Sequence, residues 1–338
     1  MTRTPVVTVG ALTALAATAL LSVALGAVWI APSHVVSVVR DAITGASSTP
    51  AWESAVVLSI RLPRVLLALA GGAGLGVAGA AMQGLFRNPM ADPGVLGVSA
   101  GAAFGAVASL YGLTFLAGTY AAPVGAFVGA LACAAMVYAL STRHGTASTE
   151  TLLLAGIAMS GIASALTSFV LSLALAEWEL GREMVAWLMG GLERASWGEL
   201  AFVLGPVLLG SLGLLADARG LDALATGEES AMALGVDVPA LTKRVLVFSS
   251  LITAAAVSVM GVVAFVGLLV PHMVRRVLGP AHRALIPASA LGGAWVLALA
   301  DLVCRAVPGA GLRLGVVTSL VGGPFFLFLL LRGRRGLR

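Results

Sequence analysis

Lysine is almost absent: Lys243 is the only one in 338 residues, and all charged residues together make up 10% of the chain, against about 25% in an ordinary soluble domain. Four histidines and two cysteines complete a short list of chemically active side chains. Each scarcity excludes something. Cys133 and Cys304 both sit in apolar surroundings, which rules out a disulfide-rich scaffold and lacks the clustering of a zinc or iron-sulfur site. His34, His144, His272 and His282 show no i, i+4 pair with an accompanying carboxylate, so no metal site is expected. No paired-carboxylate motif stands out, and Ser160, Ser164 and Ser168 read as hydroxyls that bond within or between helices. No catalytic residue is therefore expected, and the chain is not read as an enzyme. Nothing of the form GxxxxGK precedes Lys243, so ATP cannot be held by the usual phosphate loop. Any dependence on ATP has to come from another subunit.

What the chain does have is hydrocarbon. Hydrophobic residues make up 59% of it and the mean hydropathy is +1.03, a composition for which lipid is the solvent. Apolar blocks about as long as a bilayer crossing run from Val7 to Ala31, Pro63 to Phe86, Gly94 to Leu113, Ala117 to Leu140, Thr151 to Ala176, Trp197 to Ala216, Val245 to Val270, Leu285 to Val307 and Leu314 to Leu331. The first block is too long for a signal-peptide core and runs into Trp29, so it is kept as a span. Arg3 at one end and Arg332, Arg334, Arg335 and Arg338 at the other place both termini in the cytoplasm, which demands an even number of crossings. One block must then hide two. The stretch from Val245 to Leu278 is the candidate, because Gly261, Gly267 and Pro271 interrupt it. The prediction is an all-α protein of ten transmembrane helices, forming one membrane domain over 1–338. Its basic residues lie at block ends rather than in a stripe, so nucleic acid is not an expected partner.

Glycine contributes 42 residues, about 12% against a typical 7%, and it concentrates inside the blocks. Gly72 and Gly76 make a small-xxx-small face through which helix backbones can touch. Gly74, Gly76 and Gly79 also spell GxGxxG, but the strand and the downstream acid of a dinucleotide site are missing, so the pattern reads as packing. The polar stretch from Ala176 to Ser196, with Trp178 and Trp187, suits an external amphipathic helix at the interface. Residues 217–244 form the largest inner loop, with two short helices expected around Gly227, a shape that can dock a partner. Asp301 is the sole acid placed to serve ion coupling, and an ion-coupled secondary carrier is the alternative it keeps open. Pairing with Arg305 at i+4 is the simpler reading.

Three segments carry more. Arg61-Leu62-Pro63-Arg64 sets two arginines at the outer entrance of the second span, and Arg87 to Gly101 breaks the chain with two prolines and Asn88. Gly267 to Arg276 ends in Pro-His and two arginines, with His272 read as a helix-terminus histidine. Seven segments stand in order along the chain: RLPRVLLALAGGAGLGVAGAAMQGLFRNPMADPGVLGVSAGAAFG, LLLAGIAMS, WLMGGLERASW, LATGEESAMALGV, GVVAFVGLLVPHMVRR, LGGAWVLALADLVCRAV and LGVVTSLVGGPFFLFLLLR. Taken together they resemble the permease subunits of the importers for ferric siderophores, haem and cobalamin, the FecCD type.

The resemblance implies a vitamin B12 permease-like fold in the bacterial inner membrane. It implies a homodimer, two cytosolic ATPase subunits that bind ATP and Mg, and a soluble or lipid-anchored substrate-binding protein. Arg61, Arg305 and Arg64 correspond to docking residues for that binding protein. Leu224, Gly227, Glu228, Glu229, Leu234 and Gly235 fall in the helices that couple to the ATPase, and Asn88, Met90, Ser148 and Thr149 in the cytoplasmic gate. Ser148 also makes a plausible helix cap. The expected cargo is an iron chelate, ferric siderophore or haem, with cobalamin as the alternative.

Overall fold

Backbone polar groups in hydrocarbon must be bonded internally, as in helices or closed barrels, and continuous apolar runs of bilayer length without alternation select helices. The computed structural model describes residues 3–334 apart from positions 27, 47, 113–117, 144–145 and 307–310. His144, Arg335 and Arg338 lie outside the described residues.

In chain order the helices are α1 (Arg3–Ala24), α2 (Pro32–Thr44), α3 (Ala51–Leu85), α4 (Val98–Gly112), α5 (Ala121–Ser141), α6 (Thr149–Ala174) and α7 (Trp178–Leu188). They continue as α8 (Trp197–Ala216), α9 (Ala218–Leu224), α10 (Glu228–Ala233), α11 (Val238–Met260), α12 (Val266–Leu278), α13 (His282–Ala306) and α14 (Leu314–Arg334). A two-residue antiparallel ladder, Thr142–Arg143 with Thr146–Ala147, joins α5 to α6. Among the described residues six helices, α3, α5, α6, α8, α11 and α13, are long and apolar enough to cross a membrane. Shorter apolar helices lie at Val9–Ala24, Val98–Gly112 and Leu314–Leu329. The protein is all-helical and of membrane type.

The helix starts follow local chemistry. Ser148 Oγ accepts from Thr151 N at 3.2 Å at the head of α6, and Ser196 with Glu199 forms a reciprocal capping box on α8. Asp237 caps α11 through Ala240 N at 3.0 Å. α3 occupies the middle of the bundle, packed against α13, α11, α8 and α12. Its glycines are the reason it fits there. A Cβ at Gly72, Gly76 or Gly79 would overlap the carbonyl oxygen of Gly293, Ser289 or Gly267, the first two on α13 and the last on α12. The GxGxxG stretch is therefore a helix-packing face.

Three elements depart from the expectations. Helix α2 was not foreseen: its Val35 and Val38 are buried beside Val23 and Ala24, and its Asp41 carboxylate accepts from the N–H and hydroxyl of both Ser48 and Thr49. Those bonds, the Ser48 hydroxyl above all, hold the Asp41 carboxyl down at about 2. α3 begins twelve residues before Pro63 instead of at it. A turn of π-helix at Val57–Arg61 widens the spiral just ahead of the proline, where the ring would otherwise strike a carbonyl of the preceding turn. The stretch expected to hide two crossings does divide, into α11 and α12. The break falls at Gly261 (φ 70°) and Phe265 (φ 67°), whereas Gly267 and Pro271 lie inside α12.

Candidate functional site

The two clusters expected to meet partners lie at opposite ends of α3, whose 24 residues from Leu62 to Leu85 separate them by about 35 Å at 1.5 Å per residue. At the first end, α1 terminates with its last carbonyls pointing out of the helix and unpaired within it. Arginines from two other helices take them. Arg61 Nη1 donates to Val23 O and Ala24 O, both at 2.8 Å, and its Nη2 donates to Val28 O. Arg305 Nη1 donates to Ser22 O at 2.7 Å and Leu25 O at 3.1 Å. Both side chains thus neutralise the negative end of the α1 dipole. Arg61 is only 6% exposed, so a partner's carboxylate reaches it only if the segment from Val23 to Val28 gives way.

Asp301, expected beside Arg305, has that contact at 2.9 Å and a second one that the sequence did not reveal. Arg64 Nε and Nη2 both reach Asp301 Oδ1 at 2.9 Å. One buried carboxylate on α13 thus ties down two arginines and links α3 to α13. Nearby, the amphipathic helix foreseen between Ala176 and Ser196 is α7. With Arg313 and the Met260–Gly261 break it lines a cavity of about 530 Å³ rimmed by the ion pairs Glu193–Arg313 (3.0 Å) and Glu183–Arg194.

At the other end, the loop expected to carry two short helices does so. α9 and α10 meet at Gly227, whose φ of 113° suits glycine. Leu224 is buried, whereas Leu234, Glu228, Glu229 and Gly235 are exposed. The base of the loop is clamped by Arg244 on Asp217, with Nε–Oδ1 and Nε–Oδ2 at 3.0 Å and Nη2–Oδ1 at 2.7 Å. Glu228 faces Arg87 across 3.6 Å, and Arg87 opens the turn that contains Asn88 and Met90. Within that turn Asn88 Oδ1 accepts from Met90 N at 2.9 Å, and Asp92 Oδ1 from Gly94 N at 2.8 Å. Burial pushes the Asp92 carboxyl up, against the pull of that N–H. Thr149 joins Leu85, Leu152, Leu224, Glu228 and Met232 around a cavity of about 170 Å³. The expected gate and coupling residues therefore share one neighbourhood, and Ser148 caps α6 beside it.

His272 is not at a helix terminus. It lies within α12, 8% exposed, with neither ring nitrogen in a side-chain hydrogen bond. Sequence reasoning also missed Arg64–Asp301 and an Asp222–His282 pair. Neither has a local signal, since the partners are far apart in the chain.

The helical bundle that carries these two ends is matched by known proteins. A model of the FecCD transport family covers residues 14–332. The chain belongs to that family. It is 44% identical to the cobalamin import system permease protein BtuC of Halobacterium salinarum, over 94% of this chain and 87% of the relative. Identity is also 44% to the hemin transport system permease protein HmuU of Yersinia pestis, over 82% of this chain and 83% of that one. A metal-chelate type ABC transporter solved in an inward-facing conformation superposes with a TM-score of 0.85 at 31% identity, covering 97% of this chain and 99% of its own. These FecCD relatives are permeases of importers, and the chain is a membrane permease of that kind.

Proposed function

We propose that the chain is the permease subunit of a binding-protein-dependent ABC importer for an iron chelate, a ferric siderophore or haem. The observation that carries this reading is the placement of the two-helix bend against the turn after α3. Met232 and Leu234 on that bend are 54% and 70% exposed. They suit the cleft of a cytosolic ATPase subunit, with Glu228 and Glu229 beside them. ATP and Mg on that subunit supply the driving free energy, and this chain converts motion of the bend into opening of the gate around Asn88, Met90, Ser148 and Thr149.

In this reading the chain is one domain crossing a bacterial inner membrane ten times, with α1, α3, α4, α5, α6, α8, α11, α12, α13 and α14 as the spans and both termini in the cytoplasm. Residues 217–244 are the coupling loop. Two copies enclose the pathway. The apolar side chains of α6 and α14 that face away from the bundle, Leu154, Ile157, Leu320 and Leu327 among them, support such pairing and contact with lipid. A soluble or lipid-anchored binding protein docks at the end bearing Arg61, Arg64 and Arg305. Docking on Arg61 exchanges the α1 carbonyls for the partner's carboxylates, and electrostatic attraction steers the encounter.

Cobalamin is the second reading, favoured by the similarity to the Halobacterium permease. Uptake by proteoliposomes containing this chain, its ATPase and its binding protein distinguishes the two. A ferric chelate or haem is expected to stimulate ATP hydrolysis and enter; stimulation by cobalamin alone overturns the iron assignment, and uptake without the ATPase overturns the importer.

Two variants test the ends. Glu228→Lys with Glu229→Lys is expected to lower copurification of the ATPase by about tenfold, as for loss of a charged interface anchor, read from band intensities after affinity capture. Arg61→Gln with Arg305→Gln is expected to abolish binding-protein-stimulated hydrolysis while the ATPase stays bound. Undiminished stimulation in that variant removes the docking assignment.

A further inference from the structure

Asp222, on α9 within the inner bend, makes two bonds that its own helix does not need. Its Oδ1 accepts from the backbone N of His282 at 2.8 Å and lies 2.6 Å from Nδ1 of the same residue's ring. The first bond satisfies one of the N–H groups left open at the start of α13. The second fixes the ring, which is 2% exposed. Held that way, His282 presents Nε2 to Gly84 in the last turn of α3, where a Cβ would overlap it. That nitrogen has no hydrogen-bond partner. Its position is set by Asp222 and by packing alone.

The contact does not stop at Gly84. Arg87 N donates to Gly84 O at 3.2 Å, so the backbone of the following turn hangs on the glycine that the imidazole abuts, and Asn88 N donates to Gln83 O, one residue earlier, at 3.1 Å. A single line of contacts runs from the bend through α13 to the turn after α3: Asp222, His282, Gly84, then Arg87. α9 packs on both α13 and α3, and the carboxylate end of the line is partly exposed while the imidazole is buried. Displacement of α9 cannot leave Asp222 bonded without moving the head of α13, and His282 cannot move toward Gly84 because no side-chain space remains there.

We propose that Asp222 and His282 are positioning residues of the transport cycle, a strut that carries movement of the ATPase-facing bend to the gate turn. The proposal rests on the importer reading above. It separates the bend's two tasks: Glu228, Glu229 and Leu234 grip the ATPase, whereas Asp222 passes the motion inward.

The test uses the full complex in proteoliposomes and reads substrate transported per ATP hydrolysed. Asp222→Ala and His282→Ala are each expected to lower that ratio by about fivefold or more, the range of a real coupling between sites. The double variant is expected to be no worse than either single one, because both break the same strut. Asp222→Asn, which keeps an oxygen acceptor for the His282 N–H, is expected to retain most of the ratio. Because the Asp222 carboxylate stays partly hydrated when the ring is removed, His282→Ala strands no buried charge and serves if Asp222→Ala fails to assemble. Wild-type ratios in both single variants, additive losses in the double, or a parallel fall in hydrolysis and transport at constant ratio would each overturn the strut. If the wild-type complex shows no ATP-driven uptake at all, it is the importer reading that falls first.

Discussion

Replacing Asp301 with alanine is expected to destabilise the folded chain by about 3–5 kcal/mol, the usual penalty for stripping a buried ion pair of one partner. The Asp301 side chain is 2% exposed and is the acid shared by Arg64 and Arg305, whose side chains are 17% and 13% exposed. Without it, two guanidiniums remain close together in a poorly hydrated site. Arg305 still has the carbonyls of Ser22 and Leu25, whereas Arg64 loses both of its contacts to Asp301. The heavier loss therefore falls on the link between α3 and α13. Thermal unfolding of the purified protein in detergent checks this. Asp301→Ala should melt well below the parent, and adding Arg64→Met should recover part of the loss by removing the stranded charge. A melting temperature within a degree or so of the parent would show that water reaches the cluster and that the pairing is worth little.

The second large effect concerns α3 itself. Gly76→Val is expected to prevent correct packing, with a penalty at or beyond the roughly 1–3 kcal/mol of ordinary overpacking. The new side chain meets the Ser289 carbonyl of α13, a rigid backbone atom that no rotamer change can move. Gly79→Val strikes the Gly267 carbonyl in the same manner. Pro271, four residues after Gly267, has no N–H to donate to that carbonyl, so the close approach of Gly79 is built around an oxygen with no helical partner at that position. A control is available at Gly161 on α6, where an added Cβ has nothing within 4 Å. Gly161→Ala is expected to be neutral or to stabilise by up to about 1 kcal/mol through helix propensity. Yield of monodisperse protein and melting temperature read all three, and a tolerated Gly76→Val would show that α3 and α13 can separate without loss.

The contrast between these positions shows what was legible beforehand. The glycine enrichment announced close helix contact, and Gly72 and Gly76 were recognisable as one face. Which helix they would meet was not, because small residues on many helices are equally able to accept a glycine face. Asp301 was recognisable as an unusual acid and Arg305 as its neighbour, since i+4 spacing is a local property of a helix. Arg64 lies 237 residues away in the chain, and no local pattern links the two. For the same reason Arg61 was read as a residue facing outward, whereas it is turned onto the end of α1.

At the inner bend the balance is similar. Gly227 between two short amphipathic stretches predicted two helices, and Ser148 predicted a cap, because turns and caps are decided within four residues. The approach of Glu228 to Arg87 and of Asp222 to His282 depends on how α3, α9 and α13 stack.

Composition and pattern alone determined that this chain is a helical membrane protein, since hydrophobic length and charge placement are additive along a chain. Its seven ordered segments were enough to point to the FecCD family. Only the tertiary structure decided which arginine is buried, which acid holds it, and how the bend touches the gate. Such contacts join residues tens to hundreds of positions apart, and their energies arise only once the helices are packed and water is excluded.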